Sequence, residues 1–135
     1  MDAAHAEIAD AYMRWVADGD LSIKDHCAPE FHDNVSGQDV NVFDIVGGWF
    51  AASFSDRTIE HHATMADRDR IIVWFTFRGV HIGNGFPRMV DLEVQGAQVV
   101  WPQVHILRVE NCDLARDRKD PNPHWGFGSF WFLGW

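Results

Sequence analysis

The sequence predicts an α+β fold in which N-terminal helices cover one face of a curved antiparallel sheet that closes into a cone. Three observations predict it. Helical spacing of apolar residues is confined to the chain before Asp56, strand alternation fills the chain after it, and 135 residues is the size of one domain with one core. Helices that precede strands pack on one face of a sheet, and curvature leaves a cavity between the two layers.

Ile8, Ala11, Tyr12, Trp15 and Val16 mark a first helix over Ala3 to Asp18, which Gly19 ends. Asp20 or Ser22 caps a short helix from Ile23 to Cys27 that Pro29 terminates, and Phe31 to Ser36 reads as irregular. Asp39 caps a third helix with the stripe Val42, Phe43, Val46, Phe50 and Phe54, weakened in its middle by Gly47 and Gly48. Thr58 to Ala66 and Ile71 to Val80 form a hairpin around the turn Asp67 to Arg70. The loop IGNGFPR precedes a β-prone stretch from Met89 to Glu110, bent at Gln95 to Ala97, and Asn111 and Cys112 turn the chain into a last strand, Leu114 to Lys119. Residues 123–135 form an apolar tail, HWGFGSFWFLGW after Pro123, which is expected to dock; the whole of 1–135 reads as a single domain.

Composition excludes several classes. A chain 47% hydrophobic buries too much to be disordered, and no apolar run approaches the roughly 20 residues of a membrane helix. Twenty acidic against 11 basic residues give a formal charge of −9, which repels nucleic acid and anionic lipid, so no nucleic-acid or membrane partner is expected. Cys27 and Cys112 are isolated, and the start MDAAHAEIAD has acids where a signal peptide has basic and apolar residues, so the expected compartment is the cytoplasm. No metal is expected, because H-x-H and H-E-x-x-H are absent; without G-x-G-x-x-G, a P-loop or G-x-S-x-G, no cofactor and no serine nucleophile is expected either. Seven Trp and ten Phe beside one Tyr suit either a flat apolar ligand or an aromatic core with a subunit interface.

The run DRDRIIVWFTFRGVHIG resembles the SnoaL-like strand pattern D-R-V-x-V-x-W-x-x-x-G-x-H-x-G, with Asp69, Arg70, Gly79, His81 and Gly83 in the matching places. WPQVHILRVEN resembles the strand that carries Q-x-H in the same family, and GDLSIKDHCAPEFHDN is similar to its G-D-L…A-P-x-F-x-x-N/H stretch. Together they extend a resemblance to SnoaL-like polyketide cyclases, of the nuclear-transport-factor-2-like superfamily, from the first helix through about Lys119. That superfamily also holds ketosteroid isomerases, scytalone dehydratases, limonene-type epoxide hydrolases and non-enzymatic binders, so a shared fold leaves the reaction open.

Alternation sets Trp101, Gln103, His105 and Leu107 on one face of their strand. The resemblance implies that Gln103 and His105 line the pocket and help hold a carbonyl whose oxygen gains charge, although both residue types also occur as satisfied polar groups in a core. In the cyclases the final strand carries H-W-D, whose aspartate is the general acid/base. The matching positions here are Asp117, Arg118 and Lys119, which puts lysine where that carboxylate belongs. A hairpin loop of odd length around Asn111 would set Asp117 and Lys119 on the wall of His105, so Asp117 is the expected carboxylate and Asp120 its substitute if the register slips by one. The alternative for DRKD is a solvated, charged edge.

Asn34, with His32 and Asp33 beside it, matches the place where relatives present a pocket Asn or His. Tyr12 is either a core phenol or a hydroxyl reaching the cavity, and His81 either pairs with His105 or shapes a strand end. Trp101, Trp15 and Phe75 are expected as walls against which a substrate stacks. The leading expectation is a cofactor-independent cyclase, isomerase or lyase acting by general acid-base catalysis on a small apolar substrate, with Asp117 and His105 exchanging the proton and Gln103 and Asn34 steadying the oxyanion. An epoxide hydrolase using Asp117, Arg116, Arg118 and Asp120 is one alternative, and a non-catalytic binding protein another. The face with Ile72, Trp74, Val100, Val104 and Ile106 is too apolar to meet water, which predicts a homodimer.

Overall fold

Apolar residues three and four apart form the buried side of α1 (Ala3–Asp18) in the computed structural model: Ile8, Ala9, Ala11, Tyr12, Trp15 and Val16. The structure describes residues 3–33, 42–86, 93–94, 96–112 and 124–134, with side chains for 3–27, 42–86, 93–94, 96–110. Gly19, at φ +79°, ends α1 and returns its N–H to Trp15 O at 2.8 Å. Asp20 then accepts from the Ser22 N–H at 2.9 Å and caps a single 3-10 helix, Leu21–His26. The third helical segment is α2 (Val42–Ser53), which spans Gly47 and Gly48 because its buried face, Val42, Phe43 and Phe50, outweighs their low propensity. Phe54, expected on that helix, opens the next strand instead.

Five strands form one sheet in the order β1-β5-β4-β3-β2: β1 (Cys27–Asp33), β2 (Phe54–Asp67), β3 (Arg70–His81), β4 (Gln98–Cys112) and β5 (His124–Gly134). The pairs β2–β3, β3–β4 and β4–β5 are antiparallel, and β1 joins the edge parallel to β5. The helices pack on one face of this curved sheet, α1 lying against β2, β3 and β5. Between them sits the core, with Ile71, Val73, Phe75, Phe77, Leu107 and Val109 from the sheet against Tyr12, Trp15, Ile23 and Phe43.

Two local expectations give way. Phe31 to Asp33, read as irregular, belongs to β1, and Pro29, which cannot donate to a ladder, is accommodated because β1 is an edge strand whose register shifts between Cys27 and His32. Asn111 and Cys112, read as a turn, continue β4 and pair with Trp125 and His124. The strand beside β4 is therefore the apolar tail. His105 faces Phe132 across that ladder, where the sequence sets Asp117. Aromatic residues have a higher strand propensity than the charged segment LARDRK. Leu114 to Lys119 lie outside the described residues.

The hairpin β2–β3 closes through Arg68 and Asp69, with Arg68 at φ +58°. At its other end the segment 82–86 is held against the C-terminus of α2: Ile82 N–H donates to Ser53 O and Gly85 N–H to Ser53 Oγ, both at 2.8 Å. A Cβ on Gly83 would stand 2.4 Å from Ala52 O, whereas one on Gly48, exposed on α2, would meet nothing within 4 Å. Gly83→Ala is thus expected to destabilise by about 1–3 kcal/mol and Gly48→Ala to stabilise by about 0.5–1 kcal/mol in urea denaturation; equal effects would show that the 82–86 segment is not clamped.

Candidate functional site

Strand alternation on β4 buries Gln103, His105, Leu107 and Val109 and leaves the residues between them half-buried, which places the Q-x-H pair on the helix-covered face. Tyr12 descends onto it from α1. Its hydroxyl lies 2.6 Å from His105 Nδ1, and His105 Nε2 lies 2.7 Å from Gln103 Oε1. Phe75, opposite Gln103 on β3, stacks on the imidazole at 5.1 Å and 21°, and the Tyr12 ring meets it edge-on at 5.2 Å. Three polar side chains thus form one hydrogen-bonded chain inside aromatic walls.

Burial pushes His105 down from 6.5 to about 3, so at neutral pH the ring is neutral. Oxygen acceptance by Gln103 then assigns the ring proton to Nε2, and Nδ1 accepts from the Tyr12 hydroxyl. At neutral pH the ring is then a neutral donor toward Gln103. Gln103 is 2% exposed, and its Nε2 has no hydrogen-bond partner. A buried donor left unmade costs about 1–3 kcal/mol, so this one calls for a partner such as a bound water or a ligand. On the β5 side its register partner is Gly134, which carries no side chain.

The other expected site residues divide into three groups. Trp101 is half-buried on the same face as Gln103 and sits edge-on to Phe77. Trp15 lies deeper: its indole N–H donates to Phe43 O at 2.9 Å and its ring packs on Tyr12 and Phe43, so it ties α1 to the start of α2. His81 shares the face of β3 with Val73, the partner of His105, but eight residues along, roughly 26 Å at strand rise. The two histidines therefore make no pair. His81 instead bonds Asn84 Oδ1 at 2.8 Å and anchors the 82–86 segment. His32 aligns with Ser129 on β5, and β1 ends where Asp33 aligns with Phe130, the partner of Leu107 and two residues along from the row of His105. Asn34, Asp117, Lys119 and Asp120 lie outside the described residues.

The contact between Tyr12 and His105 is absent from the sequence reading, and the only available signal was that the sole phenol stands on the apolar stripe of α1. A surface depression of about 230 Å3 near Asp56, Arg78 and Val100 lies toward the other end of β3 and β4 and takes no part in this arrangement.

By sequence the chain matches no family model and no curated protein. Solved structures do match. TsrD from Streptomyces laurentii superposes with a TM-score of 0.74 at 16% identity, over 99% of this chain and 90% of that one. An NTF2-like protein from Burkholderia thailandensis gives 0.62 at 12%, over 98% and 92%. The fold is NTF2-like. IdmH from Streptomyces antibioticus, a candidate polyketide cyclase, also matches, with 0.65 at 15% over 96% and 91%. The sequence expectation of an α+β cone holds, and the NTF2-like frame accounts for helices and sheet enclosing the row Gln103, His105 and Leu107. No described helix is long and apolar enough to cross a membrane.

The depressed pKa of His105 has a sign that can be checked. The unfolded chain takes up a proton on this residue below about pH 6.5 and the folded chain does so only near pH 3, so the unfolded state binds more protons across that window and stability falls as pH drops through it. Urea denaturation between pH 4 and 7 is expected to show a loss on the order of 1 kcal/mol per pH unit in the wild type beyond that of His105→Gln. Parallel stability curves for the two proteins would mean that His105 is not held neutral.

Proposed function

We propose that this protein is a cofactor-independent cyclase, isomerase or lyase acting on a small apolar, polyketide-like substrate held in a deep aromatic pocket. The observation that carries the reading is the unpartnered Gln103 amide nitrogen beside neutral His105 within aromatic walls. A hydrogen-bond donor in apolar surroundings stabilises oxygen that gains charge when a neighbouring carbon loses its proton, and it does so better than in water because nothing there screens it. With both ring nitrogens of His105 engaged, by Tyr12 and by Gln103, the reading gives proton abstraction to a carboxylate, Asp117, with Asp120 as its substitute. Asn34 would join Gln103 at the oxygen, and Trp101, Phe75, His32 and Lys119 would border the substrate. The polyketide-cyclase description of IdmH, a protein of the same fold, supports the reaction class.

A bicyclic aromatic ketone, β-tetralone, tests this reading directly, because exchange of its α-protons in heavy water reports proton removal beside a carbonyl. The wild type should accelerate that exchange, and Asp117→Asn should cut the acceleration by at least ~100-fold while binding, followed by Trp fluorescence, stays within about threefold. Near-wild-type exchange in Asp117→Asn would reject Asp117 as the base. Binding without any accelerated exchange would favour the non-catalytic binding protein, a reading that neutral His105 also suits.

The proposal includes a homodimer. On the sheet face turned away from the helices Met65, Trp74 and Val100 are 53%, 46% and 58% exposed, and Ile72, Val104 and Ile106 are half-buried beside them. Contiguous apolar area of this kind is what a twofold interface covers. Sedimentation at micromolar concentration should give a dimer for the wild type and a folded monomer for Trp74→Glu; a wild-type monomer would overturn the assignment.

A further inference from the structure

The geometry points to Tyr12 as the positioning residue that fixes which end of the Gln103 amide meets the ligand, making the site a receptor for an oxygen acceptor carried on an apolar ring system. This rests on the functional reading above and adds to it the device that gives the site its direction. An isolated glutamine presents a carbonyl and an amino group with equal ease, since a half-turn about its last bond exchanges them. Here the hydrogen bond that lies behind the amide decides between them. The Tyr12 hydroxyl sits 2.6 Å from His105 Nδ1; when it donates there, Nδ1 carries the lone pair and the proton of the neutral ring is on Nε2. That proton points at Gln103 Oε1, 2.7 Å away, so the carbonyl is engaged and the N–H2 group faces the other way, without a partner.

The chain can transmit direction because none of its members is free to turn. Phe75 stacks on the imidazole and the Tyr12 ring closes on its edge, which fixes the ring plane. Tyr12 itself is fully buried on α1 and packs against Trp15, whose N–H is engaged by Phe43 O. A ligand ketone or quinone oxygen satisfies the Gln103 amide. A hydrocarbon of the same shape leaves it unpaired.

The test uses the whole chain and two readouts. In the ligand-free protein, long-range nitrogen–proton correlation NMR, with His105→Gln identifying the signal, should show His105 as the Nε2–H tautomer, unchanged from pH 5 to 8. Tyr12→Phe, which removes only the hydroxyl, should give a mixture of tautomers. Binding of β-tetralone against tetralin, its hydrocarbon counterpart, should favour the ketone by about tenfold in the wild type, and that preference should fall below about threefold in both Tyr12→Phe and Gln103→Met. An Nδ1–H tautomer or an imidazolium in the wild type would overturn the proposal, as would a Tyr12→Phe variant that keeps the wild-type tautomer or the full preference for the ketone. If neither compound binds, the functional reading falls, while the tautomers of the wild type and of Tyr12→Phe still decide the role of Tyr12.

Discussion

The pairing of β5 with β4 is the constraint on which the rest of the structure depends. Without it the row Gln103, His105, Leu107 would stand on an edge strand, and β1, which pairs with β5, would have no place in the sheet. An edge exposes unpaired backbone groups and cannot bury a polar side chain against two neighbours. With β5 in position β4 becomes an interior strand, and the walls around His105 become a closed, water-poor surrounding. That surrounding keeps the imidazole neutral. The low proton affinity of His105 is therefore a property of the sheet's completeness as much as of its immediate neighbours.

Much of the fold could be read from local patterns, because local forces set it. The spacing from Ile8 to Val16, the stop at Gly19 and the hairpin around Arg68 and Asp69 each rest on residues close in sequence. Alternation likewise set Gln103 and His105 on one buried face. What it could not supply was the identity of the neighbours. Tyr12 reaches His105 across 93 positions, and β4 runs on through Asn111 and Cys112 to pair with a segment beginning at His124. No turn chemistry announces such a choice, since the partner lies far outside the local sequence. His81 shows the opposite error: a residue on the correct face of the correct strand, placed too far along it to reach the other histidine.

Charge separates the surface of this protein from its interior. The chain carries a formal −9, and the ion pairs among the described residues, such as Lys24 with Asp44 and Arg78 with Glu60, involve side chains well open to solvent. Around Gln103 the described side chains are a phenol, a neutral imidazole, an amide and aromatic rings. Such a site offers no counter-ion, so among them recognition rests on shape and on single hydrogen bonds in a medium of low polarity.

The parallel union of β1 with β5 also bears on how the chain reaches its shape during synthesis. Residues 27–33 are made early, yet their partner in the sheet, residues 124–134, emerges from the ribosome about ninety residues later. At the usual elongation rates that interval is roughly 5–20 seconds, far longer than the microseconds a hairpin such as β2–β3 needs. Throughout it β1 has no strand to join, and from its completion until β5 is made β4 has an open edge. A nascent chain in that state is a template for strand addition by any neighbour, so binding by a chaperone would matter most between the completion of β4 and the arrival of β5.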